Sequence, residues 1–407
     1  MSLNIDSITD IDKLLEVAEQ LEDDDKTEEA LKAAERAAKL FPQNGRARCM
    51  QAGLLQDLNK PQEAFKVLVD ACRDIPDNAD CLFDLGAFLS EHGNMPQACD
   101  CYKRVYDLNP DYPRIKLLLG SSLIRIQQWP DAIKYLEEAL KTELNELDRA
   151  RALNSLGEAH MNNLNPEDPE GNKKELAEAL EKFNASLEIN EYDYVPKGNI
   201  AMSYIRLGNI PEALKIIEEA MKKYPNQARL YVIKGIAQGV SDDPEAIKSF
   251  EKAIELNPND PELWFHKAHY YVRSQNFGIA LDIFKEGVKH HPNSADLYFN
   301  IASLLRHMGR ERESIEYHRK GLQLSGRLIH WGFFLVDENN KPVEGTNVAI
   351  ESDRMIPREK VAQQFFKQLQ EQGRKIDDKG IVDGKYRVGM MEIPEDKVTL
   401  APDAKIL

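Results

Sequence analysis

The sequence predicts a mainly α-helical solenoid of about nine helix–turn–helix repeats, followed by a small α+β unit. Three observations carry this. Pro42, Pro76 and Pro110 fall 34 residues apart. Ala30, Ala64, Ala98 and Ala132 keep the same interval, and a fixed period of this length marks stacked supersecondary units. From about Gly326 the helical period gives way to runs of strand-forming residues.

A lead-in of residues 1–10 precedes frames at 11–44, 45–78, 79–112 and 113–146, set by the alanines. The fifth repeat begins near Ala150, and its second-helix alanine, Ala179, arrives about ten residues late. The excess is Asn165 to Asn172, rich in turn formers, which predicts an insertion at 162–174 between the two helices. Frames at 194–227, 228–260, 261–294 and 295–328 follow, marked by Ala213, Ala246, Ala280 and by Pro225, Pro258, Pro292. Ser314 replaces the alanine in the last. Gly86, Gly120, Gly157 and Gly235 stand where the first helix must lie close to the second. Tyr102, Leu136, Phe183, Phe250 and Phe284, each four residues after the alanine, fill the gap to the next repeat. The prolines stop second helices because they lack an N–H and clash with the preceding turn.

This interval and residue pattern resemble the tetratricopeptide repeat over residues about 11–328. The resemblance implies a right-handed superhelix in which the first helix of each pair lines a concave groove. It also implies that positions two, five, six, nine, twelve and thirteen of that helix face inward. Arg46, Arg114, Arg151 and Arg229 occupy the second position of their repeats. Arg125, Arg206 and Arg273 occupy the thirteenth, and Arg306 and His307 close the first helix of the ninth repeat. Asn154, Asn199, Asn300, Phe265, Phe299, His266 and His269 join them. The expectation is a basic, asparagine-dotted groove on an acidic body, suited to an extended peptide bearing carboxylates. Arginine pairs with carboxylates bidentately, and asparagine can both donate to and accept from a peptide backbone. The competing reading is that these arginines only balance neighbouring acids.

Some members of the family clamp the free C-terminal carboxylate of chaperones through a fixed set of lysines, asparagines and an arginine. No three consecutive repeats here carry that set. Phe265 stands where a clamp lysine would precede Asn300, and Ile233 where the arginine should be.

Beyond the repeats, Ile329 to Val336 reads as a strand, Asp337 to Pro342 as a turn and Val343 to Ile350 as a returning strand. Pro357 is expected at the first position of a helix carrying Val361, Phe365 and Leu369 on one face, closed by Gly373. Asp383-Gly384 suggests a hairpin turn before a strand from Lys385 to Ile393. Residues 329–407 form either a cap on the last repeat or a separate binding module.

Composition bounds the function. The net charge of −16 argues against a phosphate-backbone partner. It is uneven: residues 1–44 carry 12 acidic and 5 basic side chains, residues 325–407 carry 14 and 13. Neither a secretory leader nor an apolar run long enough to span a bilayer is visible. The five cysteines, Cys49, Cys72, Cys81, Cys99 and Cys101, have no scaffold spacing and read as reduced thiols of a cytoplasmic protein, with Cys99 and Cys101 as buried small residues. His266 and His269 could share a metal but lack a third ligand, and no phosphate-loop, serine-hydrolase or zinc-protease motif occurs. The expectation is a protein-binding scaffold without catalytic residues, metal or cofactor, with self-association left open. The alternative is a regulatory or targeting subunit whose C-terminal unit does the binding while the repeats position it.

Overall fold

The computed structural model describes residues 5–337, 341, 343, 348–377 and 380–393. Its backbone parts into two compact units, Met1–Tyr224 and Pro225–Leu407. Among the described residues of the first unit, the helices form six antiparallel pairs. These are α1 (Ile11–Asp23) with α2 (Thr27–Leu40), α3 (Gly45–Asp57) with α4 (Pro61–Asp74), and α5 (Ala79–Glu91) with α6 (Met95–Leu108). Then come α7 (Ile115–Arg125) with α8 (Trp129–Leu140), α9 (Glu146–Asn162) with α10 (Pro169–Ile189), and α11 (Tyr194–Arg206) with α12 (Ile210–Lys223). The second unit adds α13 (Ala228–Val240) with α14 (Ala246–Leu256), α15 (Glu262–Arg273) with α16 (Phe277–His290), and α17 (Ala295–His307) with α18 (Glu311–Leu324).

The packing rule read from the sequence is visible atom by atom. Ala30, Ala64, Ala98, Ala132, Ala179, Ala213, Ala246 and Ala280 are all 0 % exposed. A Cβ on Gly86, Gly120, Gly157 or Gly235 would come within 2.8, 2.6, 2.7 and 2.6 Å of Tyr102, Leu136, Phe183 and Phe250 respectively. Those distances leave room for hydrogen only. The ninth pair inverts the arrangement: Gly321 on α18 makes space for Phe299 on α17, which a Cβ would approach to 2.7 Å. Ser314 stays fully buried there because its hydroxyl donates to the Ala302 carbonyl at 2.7 Å.

Each pair but the fifth turns through the same device. Asp25, Asn59, Gly93, Gln127, Gly208, Asp242, Gln275 and Gly309 have φ between +54 and +78°. The next residue's N–H returns to a carbonyl five residues back, as in Lys26 to Leu21 at 2.8 Å and Gln128 to Leu123 at 2.9 Å. This is the Schellman closure of a helix C-terminus. In the fifth pair non-helical backbone runs only from 163 to 168. The stretch expected as an insertion over 162–174 is therefore mostly helical: Asp168 caps α10 through the Gly171 N–H at 2.9 Å, and Pro169 sits in its first turn.

In the second unit α18 leads directly into an antiparallel sheet of order β2-β1-β3, from β1 (Leu328–Val336), β2 (Val348–Asp353) and β3 (Arg387–Ile393). Of the returning strand expected at 343–350, residues 344–347 lie outside the described residues; the described strand runs on to Asp353, and most of the expected turn at 337–342 also lies outside the described residues. Alternation along β1 sends Ile329, Trp331, Phe333 and Leu335 to one face, where α19 (Arg358–Glu371) covers them with Val361, Phe365 and Leu369. Pro357 is the cap of α19 rather than its first residue. The turn at Asp383-Gly384 is present, with φ of 52 and 75° at the two positions.

Candidate partner-binding faces

Of the first helices, all but α3 and α13 carry an acid in the first turn or a base in the last, since carboxylates suit a helix N-terminus and cations its C-terminus. The residues expected to line a groove fall into two groups with different fates.

In the first unit most are held by the protein itself. Arg114 precedes α7 in a left-handed conformation, φ 62°, instead of occupying the helix. Its Nε and Nη2 both reach the Asp148 carboxylate at 2.9 Å. Arg151 Nη1 lies 3.6 Å from the same carboxylate, and Asn145 Nδ2 donates to it at 3.0 Å. Asp148 is 3 % exposed, and a buried carboxylate must be paired. Arg206 donates to the Met161 carbonyl and, at 2.9 Å, to Asn162 Oδ1, closing the C-terminus of α9; burial holds its pKa below the usual arginine value. Asn199, 1 % exposed, donates to Asn154 Oδ1 at 3.1 Å. Arg46 pairs with Glu19 at 2.6 Å. Each of these groups contacts a group of this chain, while the Arg46 and Arg151 side chains remain more than half exposed. Arg125, at the exposed end of α7, has no partner among the described residues.

In the second unit the expected residues stay at the surface. Arg229, His269, Arg273 and Arg306 are exposed, and Phe265, His266 and Asn300 half-buried. Phe265 stands 5.5 Å from His269 and 5.6 Å from His266, ring to ring. Burial lowers the pKa of both histidines; Arg273 adds to the effect at His269, and Glu262, 4.0 Å from His266, opposes it there.

Phe265 and Asn300 line one recess of about 430 Å³ with Leu297, rimmed by Asp260, Glu262 and Asp296. Sequence reasoning missed these acids. Their signal was present: Glu262 and Asp296 are first-turn acids, just as Arg273, Arg306 and His307 are last-turn bases. The face of α15 and α17 is therefore acidic at one end and basic at the other, not uniformly basic.

At the C-terminal sheet the face opposite α19 carries Glu351 and Asp353, 2 % and 8 % exposed. Arg319 of α18 reaches Glu351 at 2.6 Å, and Arg327 donates to Asp353 from Nε at 3.1 Å and from Nη2. The sheet has its own apolar core and meets the last helix pair through these ion pairs. Among the described residues no three histidine, cysteine or acidic side chains are grouped to hold a metal ion, and no helix is long and apolar enough to cross a membrane.

Stacked helix pairs with aromatic and charged side chains along the first helices define a helical-repeat protein. Sequence profiles of the tetratricopeptide repeat match residues 117–194, 199–261, 249–282 and 295–327. The chain is a tetratricopeptide-repeat protein, a solenoid with a small α+β unit. It is similar to a tetratricopeptide-repeat protein from Parabacteroides merdae ATCC 43184, at 18 % identity over 64 % of this chain and 98 % of that one, TM-score 0.49. TTC0263, a thermophilic TPR protein in Thermus thermophilus, matches at 18 % identity over 48 % of this chain and all of that one, TM-score 0.42. Human IFIT1, solved as a dimer with m7Gppp-AAAA, matches at 18 % identity over 77 % of each chain, TM-score 0.43.

Proposed function

We propose that this chain holds a protein partner by an extended segment laid across its first helices, and that the segment bears carboxylates. The repeat fold is an interaction scaffold, and the finer reading rests on the second unit. The observation that carries it is the surface of α15 and α17, which presents half-buried Phe265 near one end and exposed Arg273 and Arg306 in the last turns. An aromatic ring gives a peptide side chain apolar contact area, and arginines at helix C-termini add bidentate recognition of acids. The five thiols are all free, which fits a reducing compartment, and we place the protein in the cytoplasm. We assign it no catalytic role, no nucleic-acid partner and no cofactor.

The test is a peptide array probed with the intact chain and with an Arg273→Glu/Arg306→Glu variant at two salt concentrations. Acid-bearing peptides should be retained, lose roughly tenfold or more in affinity in the variant, and weaken with salt. Equal retention of the same peptides by both proteins would refute the assignment.

The alternative, in which the C-terminal unit is the binding module, has one observation in its favour: residues 328–393 build an apolar core of their own. A chain ending at 327 that folds yet captures no peptide would favour it.

A further inference from the structure

Cys49 on α3 and Cys81 on α5 belong to different repeats, yet their Sγ atoms stand 3.6 Å apart. The helices that carry them pack side by side. The start of α3 lies directly on the cap of α5: the Gly45 carbonyl faces Cys81 Sγ at 3.8 Å, and a Cβ on Gly45 would come within 2.5 Å of the Asn78 side chain. A disulfide needs a sulfur separation near 2 Å, so about 1.5 Å remains to be closed. Cys49 is half-buried and Cys81 buried.

A carboxylate completes the group. Asp84, three residues after Cys81 on α5, faces Cys49 and has its pKa raised by burial. The hydrogen bond between the sulfurs lowers the pKa of Cys81 and raises that of Cys49, which burial raises further. Among the described residues, Cys72, Cys99 and Cys101 make no such sulfur–sulfur hydrogen bond.

We propose that Cys49 and Cys81 form a modification site, a dithiol that hydrogen peroxide converts to a disulfide bridging the first helices of the second and third repeats. Peroxide arrives from the side of half-buried Cys49. Cys49 donates to Cys81 across the 3.6 Å contact, so Cys81, the thiol with the lowered pKa, holds the thiolate. The Cys81 sulfur bonds one peroxide oxygen as the O–O bond breaks, and the departing hydroxide leaves as water with the proton Cys81 gave up. Cys49 then passes its proton to Asp84, and its sulfur attacks the sulfenic sulfur of Cys81. The S–S bond forms as the S–O bond breaks, and the second hydroxide leaves as water with the proton held by Asp84. The thiols lose two electrons in all and the peroxide gains two, giving one disulfide and two waters.

The full-length chain is treated with hydrogen peroxide, alkylated with iodoacetamide in urea, digested and read by mass spectrometry. The expected product is a linked peptide joining Cys49 to Cys81, reversed by dithiothreitol. It should disappear in Cys49→Ala, whose folding is checked by circular dichroism, and persist in Cys72→Ser. The thermal midpoint of the oxidised chain should rise above that of the reduced chain, with no rise in Cys49→Ala. Sulfinic acid on either of the two thiols with the other still alkylated would overturn the proposal. So would a link that uses Cys72 or Cys101 instead.

Discussion

Gln127 and Gln275 hold φ of 61 and 57° in turns where Gly93, Gly208 and Gly309 hold 74 to 78°. A side chain with a Cβ sits in that region at a cost of about 1–2 kcal/mol, which glycine avoids. Gln127→Gly should therefore raise stability by up to ~1 kcal/mol after glycine's greater chain entropy is set against it, checked by urea unfolding. This turn was not legible in the sequence, although it recurs with the repeat. Only three of its eight occupants are glycine, and the closing hydrogen bond involves backbone alone. The small-to-large contacts were legible because steric exclusion restricts the residue type: Gly157 opposite Phe183 admits nothing larger. Arginine at a groove position carries no such restriction. Arg114 and Arg273 look alike in the sequence, but one is fixed on Asp148 and the other lies exposed, and the difference resides in a residue from another repeat.

At the level of elements, the helix pairs follow from period and punctuation, whereas the expected strand bounds shifted. β2 runs on to Asp353, beyond the expected end at Ile350, because its register is set by β1, through pairs such as Leu328 with Asp353, and not by its own composition. The turn residues around 165–172 were read as loop, yet Asp168 and Pro169 are equally good openers of a helix. The sheet depends on α19. Phe365 is 0 % exposed and stacks on Phe333 with ring centroids 4.9 Å apart. Phe365→Ala should cost about 3–5 kcal/mol within this segment. Hydrogen exchange should show early loss of protection in β1 and β3, with the helices of repeats seven and eight retaining theirs.

For the whole molecule, stability is a sum over neighbouring interfaces, so charge changes confined to one unit act on that unit. His266, His269 and His318 all have pKa values lowered by burial, and all lie in Pro225–Leu407. A depressed histidine leaves the folded state with fewer protons than the unfolded chain once pH drops below the usual value of 6.5. The contribution is intact above that value and is lost as pH falls through it towards the folded pKa. Acid titration from pH ~7 to ~5 should therefore lower the midpoint of the second unit, and His266→Asn should flatten the dependence. Circular dichroism melts across that range, with wild type and variant side by side, provide the check.

The sheet order β2-β1-β3 also bears on how the chain is made. β1 is the middle strand, yet it leaves the ribosome first, with both of its edges open. Its apolar side chains Trp331, Phe333 and Leu335 wait for α19, and its second edge waits longer still, until residues 387–393 have been synthesised. The preceding helix pairs can dock as they emerge, because each needs only its neighbour. This sheet can close only after residue 393 has been synthesised, so it is during translation of this stretch that the nascent protein most needs shelter.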